Sequence, residues 1–245
     1  GGKNYGDTLL KLQLSNGSFQ VADTFTPSDA ECVDVHDLEI GSGGLALLPT
    51  DSFISGHLGA VYNKEGRLYI VNRDKLGGFN AAGDNQIPLE FMVGAQTCSD
   101  SVTGDVAEGP NWNRLYGNPA YWNGNLYAAA ANAQLQQYRF QNGLPNPTPV
   151  ALSPTAYGLR GGNIVVSANG TQNGIVWVNE KYIGDQGILH AYDATNVSNE
   201  LWNSNINGDR DAESTGVGFG VPVVADGRVL ITSENVLAIY GLLQQ

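Results

Sequence analysis

Four times the chain writes a glycine, any residue, Leu or Val, and then a large apolar residue. The copies are Gly66-Arg67-Leu68-Tyr69, Gly124-Asn125-Leu126-Tyr127, Gly174-Ile175-Val176-Trp177 and Gly227-Arg228-Val229-Leu230. Successive glycines lie 58, 50 and 53 residues apart. A quasi-period of about 50 residues with strand chemistry inside it is the mark of an array of small sheets. A longer match reinforces the period. Tyr116 to Tyr127 aligns without gaps onto Phe219 to Leu230, with aromatic, Gly and Pro at the start, Asn-Gly or Asp-Gly in the middle and the apolar pair at the end.

Asn-Gly or Asp-Gly between apolar runs signals a hairpin, because both central turn residues want positive φ. Residues 119–122 and 125–129 therefore form one hairpin, and 222–225 and 228–232 another. A third strand follows each, marked Leu-x-x-Tyr at Leu135 to Tyr138, Leu189 to Tyr192 and Leu237 to Tyr240. A fourth is read at Glu200-Leu201-Trp202, after the polar turn Asp193-Ala194-Thr195-Asn196. Four antiparallel strands per unit is a propeller blade. The expected fold class is all-β: a β-propeller of four-stranded antiparallel blades, four to five of them present in one domain spanning 1–245. The blade units are placed at 1–26, 44–95, 117–150, 162–204 and 219–245, with a longer hairpin loop at 167–174. Two strands at the start and three at the end make five, one too many for a shared blade. The expected reading is the C-terminal part of a larger, seven- or eight-bladed ring; a four-bladed ring closed by 19–25 is the alternative. An unclosed array exposes sheet edges that a partner chain or missing segment should cover.

Composition narrows the function classes. Only 15% of the 245 residues are charged and the formal net charge is −12. Such a chain repels nucleic acid and anionic membrane surfaces; the charge either serves solubility or attracts cations, Ca²⁺ among them. No apolar run reaches the roughly 18 residues of a membrane span. No charged stretch followed by an apolar one opens the chain, so any signal peptide has been removed or never existed, and a start at Gly1-Gly2-Lys3 without Met fits a processed or trimmed product. The expected location is extracellular or periplasmic. Cys32 and Cys98 either pair in an oxidising compartment or are two unrelated thiols. Sequons at Asn16, Asn169 and Asn196 lie at predicted turns, where glycosylation is feasible.

The stretch Gly187-Ile188-Leu189-His190-Ala191-Tyr192-Asp193-Ala194-Thr195 through Leu201-Trp202 resembles the tryptophan-docking repeat of pyrroloquinoline quinone (PQQ) enzymes. Ala191, Asp193 and Trp202 match that pattern; Thr195 falls one place early and its Gly is missing. Further pieces, among them Gly41-Ser42-Gly43-Gly44, Asn72-Arg73-Asp74 and Ser167-Ala168-Asn169-Gly170, are similar to secreted quinoprotein-like propellers. The resemblance implies a propeller. In the dehydrogenases of that superfamily it would also imply a quinone over the central channel, a Ca²⁺ held by Glu, Asn and Asp, an Asp base and often a vicinal Cys-Cys pair. The chain has no adjacent cysteines, and no quinone ligand maps onto it residue by residue.

Candidate chemistry falls in the long stretches 26–43, 77–117 and 203–218. Asn205, Asn207, Asp209, Asp211 and Glu213 alternate around Gly208, an arrangement that could wrap Ca²⁺ or simply be a solvated acidic loop. His36, Asp37 and Glu39 could ligate a metal or supply a base, or be loop surface. Asp100, Asp105 and Glu108 precede Trp112, Arg114 and Tyr116; acids beside aromatics suit a sugar-binding or catalytic cleft for a carbohydrate or other small molecule, or the aromatics anchor the loop. His190 reads as a strand residue packing beside Tyr192, and neither it nor His57 has a nucleophile partner in a recognisable motif. Trp122, Trp177 and Trp202 read as packing between blades. The expected function is a secreted propeller that binds a ligand or partner, or serves as a scaffold, without a cofactor. The alternatives are a PQQ- and Ca²⁺-dependent alcohol or sugar dehydrogenase whose N-terminal half is absent, and a structural protein that self-assembles through blade edges.

Overall fold

A computed structural model describes residues 4–94, 98, 114–158, 160–180, 186–214, 220–233 and 235–242. The chain opens with an antiparallel hairpin of β1 (Leu9–Ser15) and β2 (Ser18–Thr26). Its turn sits on Asn16 and Gly17, with φ of 50° and 76°, the geometry that matches strand twist. A short helix α1 (Ala30–Val35) and one 3-10 turn (Ile40–Ser42) lead to β3 (Ala46–Leu47), β4 (Leu58–Tyr62), β5 (Arg67–Asn72), β6 (Gly78–Phe79) and β7 (Leu89–Met92). Strands β3-β4-β5-β7 form one sheet, while β6 leaves it to pair parallel with β2.

The next sheet holds β8 (Ala120–Trp122), β9 (Asn125–Ala129) and β10 (Gln134–Gln141), with β11 (Leu144–Pro145) and β12 (Ala151–Ala156) both pairing to β10. Then come β13 (Gly162–Asn169), β14 (Gln172–Glu180), β15 (Ile188–Asp193) and β16 (Glu200–Asn203) in sequential order. After α2 (Gly208–Asp211) the chain ends on a three-stranded sheet of β17 (Val223–Ala225), β18 (Arg228–Thr232) and β19 (Leu237–Gly241).

The sheets stack face against face. Tyr62, Leu68, Ile70 and Phe91 of one share a core with Leu126, Ala128, Tyr138 and Phe140 of the next. Trp122, Tyr127 and Leu135 then pack against Ile164, Val176, Val178 and Tyr192. Trp177, Leu189 and Trp202 in turn meet Val224, Val229, Ile231 and Tyr240. An inner sheet is thus covered on both faces, which is why β4 and β9 are buried at every position instead of alternating. Among the described residues, the outermost sheets lack this second cover. Val223, Leu237 and Ile239 are exposed on the far face of the last sheet. In the first hairpin, Leu12 faces Val21 and Leu14 faces Phe19 across the strands, and all four are exposed.

Three sequence expectations change. The repeated phrase is expected at the second strand of every unit, but the copy at Gly66 opens the third strand of its sheet, because β4 already fills the second place. The span 167–174 is not a loop; β13 and β14 run on to a turn at Gly170 and Thr171. The stretch 77–117 is not irregular throughout, since it contains β6 and β7, and the outer strand β12 falls beyond residue 150.

The repeated glycines also divide. Gly66, Gly124 and Gly227 have positive φ and end turns. Gly174 has ordinary φ and lies inside β14; a Cβ there would stand 2.8 Å from the Trp122 ring and 2.9 Å from Ala194 Cβ. Its missing side chain makes room for the tryptophan of the neighbouring sheet.

Candidate functional site

Strand parity sorts the connections onto two ends of the array. First-to-second turns are tight at Asn123-Gly124, Gly170-Thr171 and Asp226-Gly227. Connections between sheets leave the opposite end, together with second-to-third connections. Among the described residues, that end gathers 27–44, 63–66, 93–94, 98, 114–119, 130–133, 157–158, 160–161, 186–187, 204–214, 220–222, 233 and 235–236. Loops positioned by a rigid scaffold are where binding residues concentrate.

A disulfide joins Cys32 to Cys98 on this end, closing 66 residues of sequence. Cys32 sits on α1, held down by the fully buried Val33. The Cys98 amide donates to Glu65 Oε2 at 2.9 Å. Glu65 is fully buried, and its other oxygen accepts from Arg67 Nε at 2.6 Å. Arg67 also faces Glu90 at 3.4 Å and Asp29 at 3.9 Å. Burial, reinforced by the Glu65 charge and opposed by Arg67, pushes the Asp29 carboxyl up to about 6. Its Oδ1 is buried with no hydrogen-bond partner among the described residues.

The trio His36, Asp37 and Glu39 splits. The His36 ring turns to the disulfide, with Nδ1 2.8 Å from the Cys32 carbonyl oxygen. Asp37 and Glu39 both take Lys64, at 2.8 and 2.9 Å. The Lys64 hydrogen bond is the main cause that holds the Asp37 carboxyl below its ordinary value. Tyr116 is buried under the Arg160 guanidinium, 5.3 Å from the ring centre. Asp100, Asp105, Glu108 and Trp112 lie outside the described residues.

The alternating acids do not meet. Asn207 precedes the helical turn α2, where residues two apart point to opposite sides. Asp209 is exposed, Asp211 pairs with Arg210, and Glu213 is buried. Asn205 follows β16, its amide bound to the Asn203 side chain at 3.1 Å. Among the described residues, the His, Cys, Asp and Glu whose ligand atoms converge as a threesome are Cys32, His36 and Cys98. The sequon residues are all exposed, Asn16 in a turn, Asn169 at the end of β13 and Asn196 in the connection between β15 and β16.

Sequence reasoning missed a second polar cluster. His190 on β15 is buried between Glu200 on β16, 2.7 Å from Nδ1, and Glu180 on β14, 3.3 Å from Nε2. It stacks on Tyr192 and meets Tyr157 edge-on. Glu180 also accepts from the Gly158 amide at 2.7 Å, tying in the connection between sheets. Burial lowers the His190 pKa, but the hydrogen bonds and charges of the two glutamates outweigh it and the net shift is upward. The signal lay in three adjacent strands rather than in a linear motif.

Both shifts carry the same sign for stability. A raised histidine contributes fully below about 6.5 and loses that contribution as pH climbs through its folded value. Asp29 favours its protonated form, so its contribution falls as pH rises from about 4 through about 6. The groups facing His190 are Glu180, Glu200, Tyr157 and Tyr192, and burial raises both tyrosines, keeping them neutral. Thermal melts are expected to show a lower midpoint at about pH 8.5 than at about pH 6, by about 2–4 °C per kcal/mol lost. His190→Gln should flatten that alkaline limb; an unchanged slope would show that His190 does not control it.

No family model matches the sequence, and no curated protein matches it. Solved structures do. The chain is similar to BamB from Moraxella catarrhalis, a β-propeller, with a TM-score of 0.54 and 13% identity over 96% of this chain. The chain spans 55% of that neighbour's length. Two computationally designed proteins also align. Ika8 does so at a TM-score of 0.46 and 8% identity, over 80% of this chain and 45% of its own. Ika4 does so at 0.45 and 9%, over 82% and 90%. The likeness to BamB supports the propeller resemblance at the level of fold.

At the opposite end, a groove of about 380 Å³ lies between the first hairpin and the second sheet. Leu10, Leu45 and Leu47 give it an apolar floor, and Lys11, Arg73 and the exposed pair His57–Asp74 (3.0 Å) rim it.

Proposed function

We propose that the chain is a propeller-type binding or scaffold module, working in an oxidising extracellular or periplasmic compartment, whose recognition surface is the end that carries the long connections. The observation that carries this reading is the concentration of carboxylates there around few cations. Asp29, Asp37, Glu39, Glu65 and Glu90 surround Lys64 and Arg67, on a segment pinned by a disulfide. With a net charge of −12, complementary fields favour a cationic ligand or a basic protein surface and speed its approach. A pinned loop also loses less entropy on binding than a free one.

The test is calorimetric titration with lysine-rich peptides of graded charge, beside neutral oligosaccharides of similar size. Affinity is expected to rise with peptide charge, to fall with salt, and to drop at least tenfold in Asp37→Lys/Glu39→Lys. Binding of the oligosaccharides alone, or no binding to either set, would refute the cationic partner.

The same reading takes the array as part of a larger ring. Its support is the pair of uncovered apolar faces, at Val223, Leu237 and Ile239 and at Leu12, Leu14, Phe19 and Val21. Light scattering on the same samples is expected to show self-association through these faces; a monodisperse monomer at high concentration counts against it.

A further inference from the structure

Cys32 and His36 stand four residues apart at α1, and the His36 amide still donates to the Cys32 carbonyl at 3.2 Å. Both side chains therefore leave the same side of one helical turn, the spacing at which helices present paired metal ligands. Cys98 reaches the same point from a distant segment. His36 Nδ1 lies 3.8 Å from Cys32 Sγ and 3.7 Å from Cys98 Sγ. In a tetrahedral zinc site with Zn–S of about 2.3 Å and Zn–N of about 2.0 Å, nitrogen and sulfur ligands sit about 3.5 Å apart and two sulfurs about 3.8 Å apart. The histidine thus already stands near ligand-to-ligand distance from both sulfurs. Only the bond between the sulfurs closes the site.

We propose that Cys32, His36 and Cys98 form a redox-gated site for zinc or a similar thiophilic divalent cation, shut as the disulfide and opened by reduction. A dithiol reductant supplies the two electrons. Its thiolate attacks one sulfur, the Cys32–Cys98 bond breaks, and the reductant leaves as its own cyclic disulfide while both protein sulfurs become thiols. The cation then displaces two thiol protons. It binds two thiolates and a neutral imidazole, and water takes the fourth position.

The surroundings suit this exchange. Both cysteines are half-buried, so a small reductant reaches them. The hydrogen bond from the Cys98 amide to buried Glu65 keeps that backbone in place after the sulfurs part. Asp37 and Glu39 lie nearby in sequence on the same connection, and a divalent ion with two thiolates adds no net charge to an acidic face. The contact of Nδ1 with the Cys32 carbonyl requires a proton on that nitrogen. Metal binding replaces the proton and moves the N–H to Nε2.

The experiment uses the full chain, reduced with a phosphine, desalted without oxygen and titrated with Co²⁺ and then Zn²⁺. Reduced protein is expected to show sulfur-to-cobalt charge-transfer absorption that one equivalent of Zn²⁺ removes, while the oxidised chain shows none. Cys32→Ser/Cys98→Ser should abolish the signal and His36→Ala should weaken affinity at least tenfold. Zn²⁺ should also raise the melting midpoint of the reduced chain and sharpen its near-ultraviolet dichroism. Cobalt binding no tighter than in the double serine variant overturns the site. So does an unchanged affinity in His36→Ala, or a reduced chain that Zn²⁺ neither stabilises nor restores.

Discussion

Replacing both cysteines, Cys32→Ser/Cys98→Ser, is expected to cost about 4 kcal/mol of stability. The figure follows from the 66 residues the bridge closes, through the chain entropy that cross-linking removes from the unfolded state. A second contribution comes from the folded state. The bridge holds the Cys98 amide on Glu65, a carboxylate with no exposure to water. If that segment drifts, Glu65 keeps Arg67 but loses one of its two partners, and an underserved buried carboxylate is costly. The melting midpoint should fall by roughly 10 °C for a domain of this size. Hydrogen exchange locates the damage. Amides of α1 and of the turn between β4 and β5 should exchange faster, while β13 to β15 keep their protection. A midpoint unchanged within about 2 °C would show that other contacts hold the 98 segment and that the bridge does not pin this face.

How far the sequence reaches is visible in particular residues. Asn16-Gly17, Asn123-Gly124 and Asp226-Gly227 announced their hairpins because a two-residue turn with positive φ is a local demand, and the structure meets it at all three. Leu135, Tyr138, Leu189 and Tyr192 announced third strands because both residues of each pair are buried between sheets. Strands β6 and β7 carried no such local mark. One is two residues long and pairs outside its own sheet, and the other completes its sheet only by contact with β5.

The polar clusters were hidden for a related reason. Glu180, His190 and Glu200 come from three adjacent strands, so register and not spacing brings them together. Cys32 and Cys98 were visible as residues, but nothing in their spacing tied them to each other or to His36. The acids at 207–213 are legible as acids and leave a cation loop and a solvated acidic loop both open, and their alternation does not announce that α2 turns alternate residues apart.

Gly174 shows the same limit most sharply, and a double-mutant cycle makes it measurable. Trp122 inserts into the space left by the missing side chain, and its Nε1 donates to the Gly170 carbonyl at 2.8 Å. Trp122→Ala should cost about 3–5 kcal/mol, from lost burial and the cavity left between the sheet of β8 to β12 and the sheet of β13 to β16. Gly174→Ala should cost about 1–3 kcal/mol, because the new Cβ would meet Trp122 at 2.8 Å and Ala194 at 2.9 Å in a packed interior. The pair must not add. With the indole gone the added methyl enters the vacated space, so the double variant should be more stable than the sum of the singles by about 0.5–3 kcal/mol. Urea unfolding of the four proteins gives the coupling directly. Simple additivity would mean that Gly174 is required by the backbone of β14 alone. The expected coupling would mean that the fourfold glycine phrase joins two physical demands, a turn at three copies and a neighbouring tryptophan at the fourth.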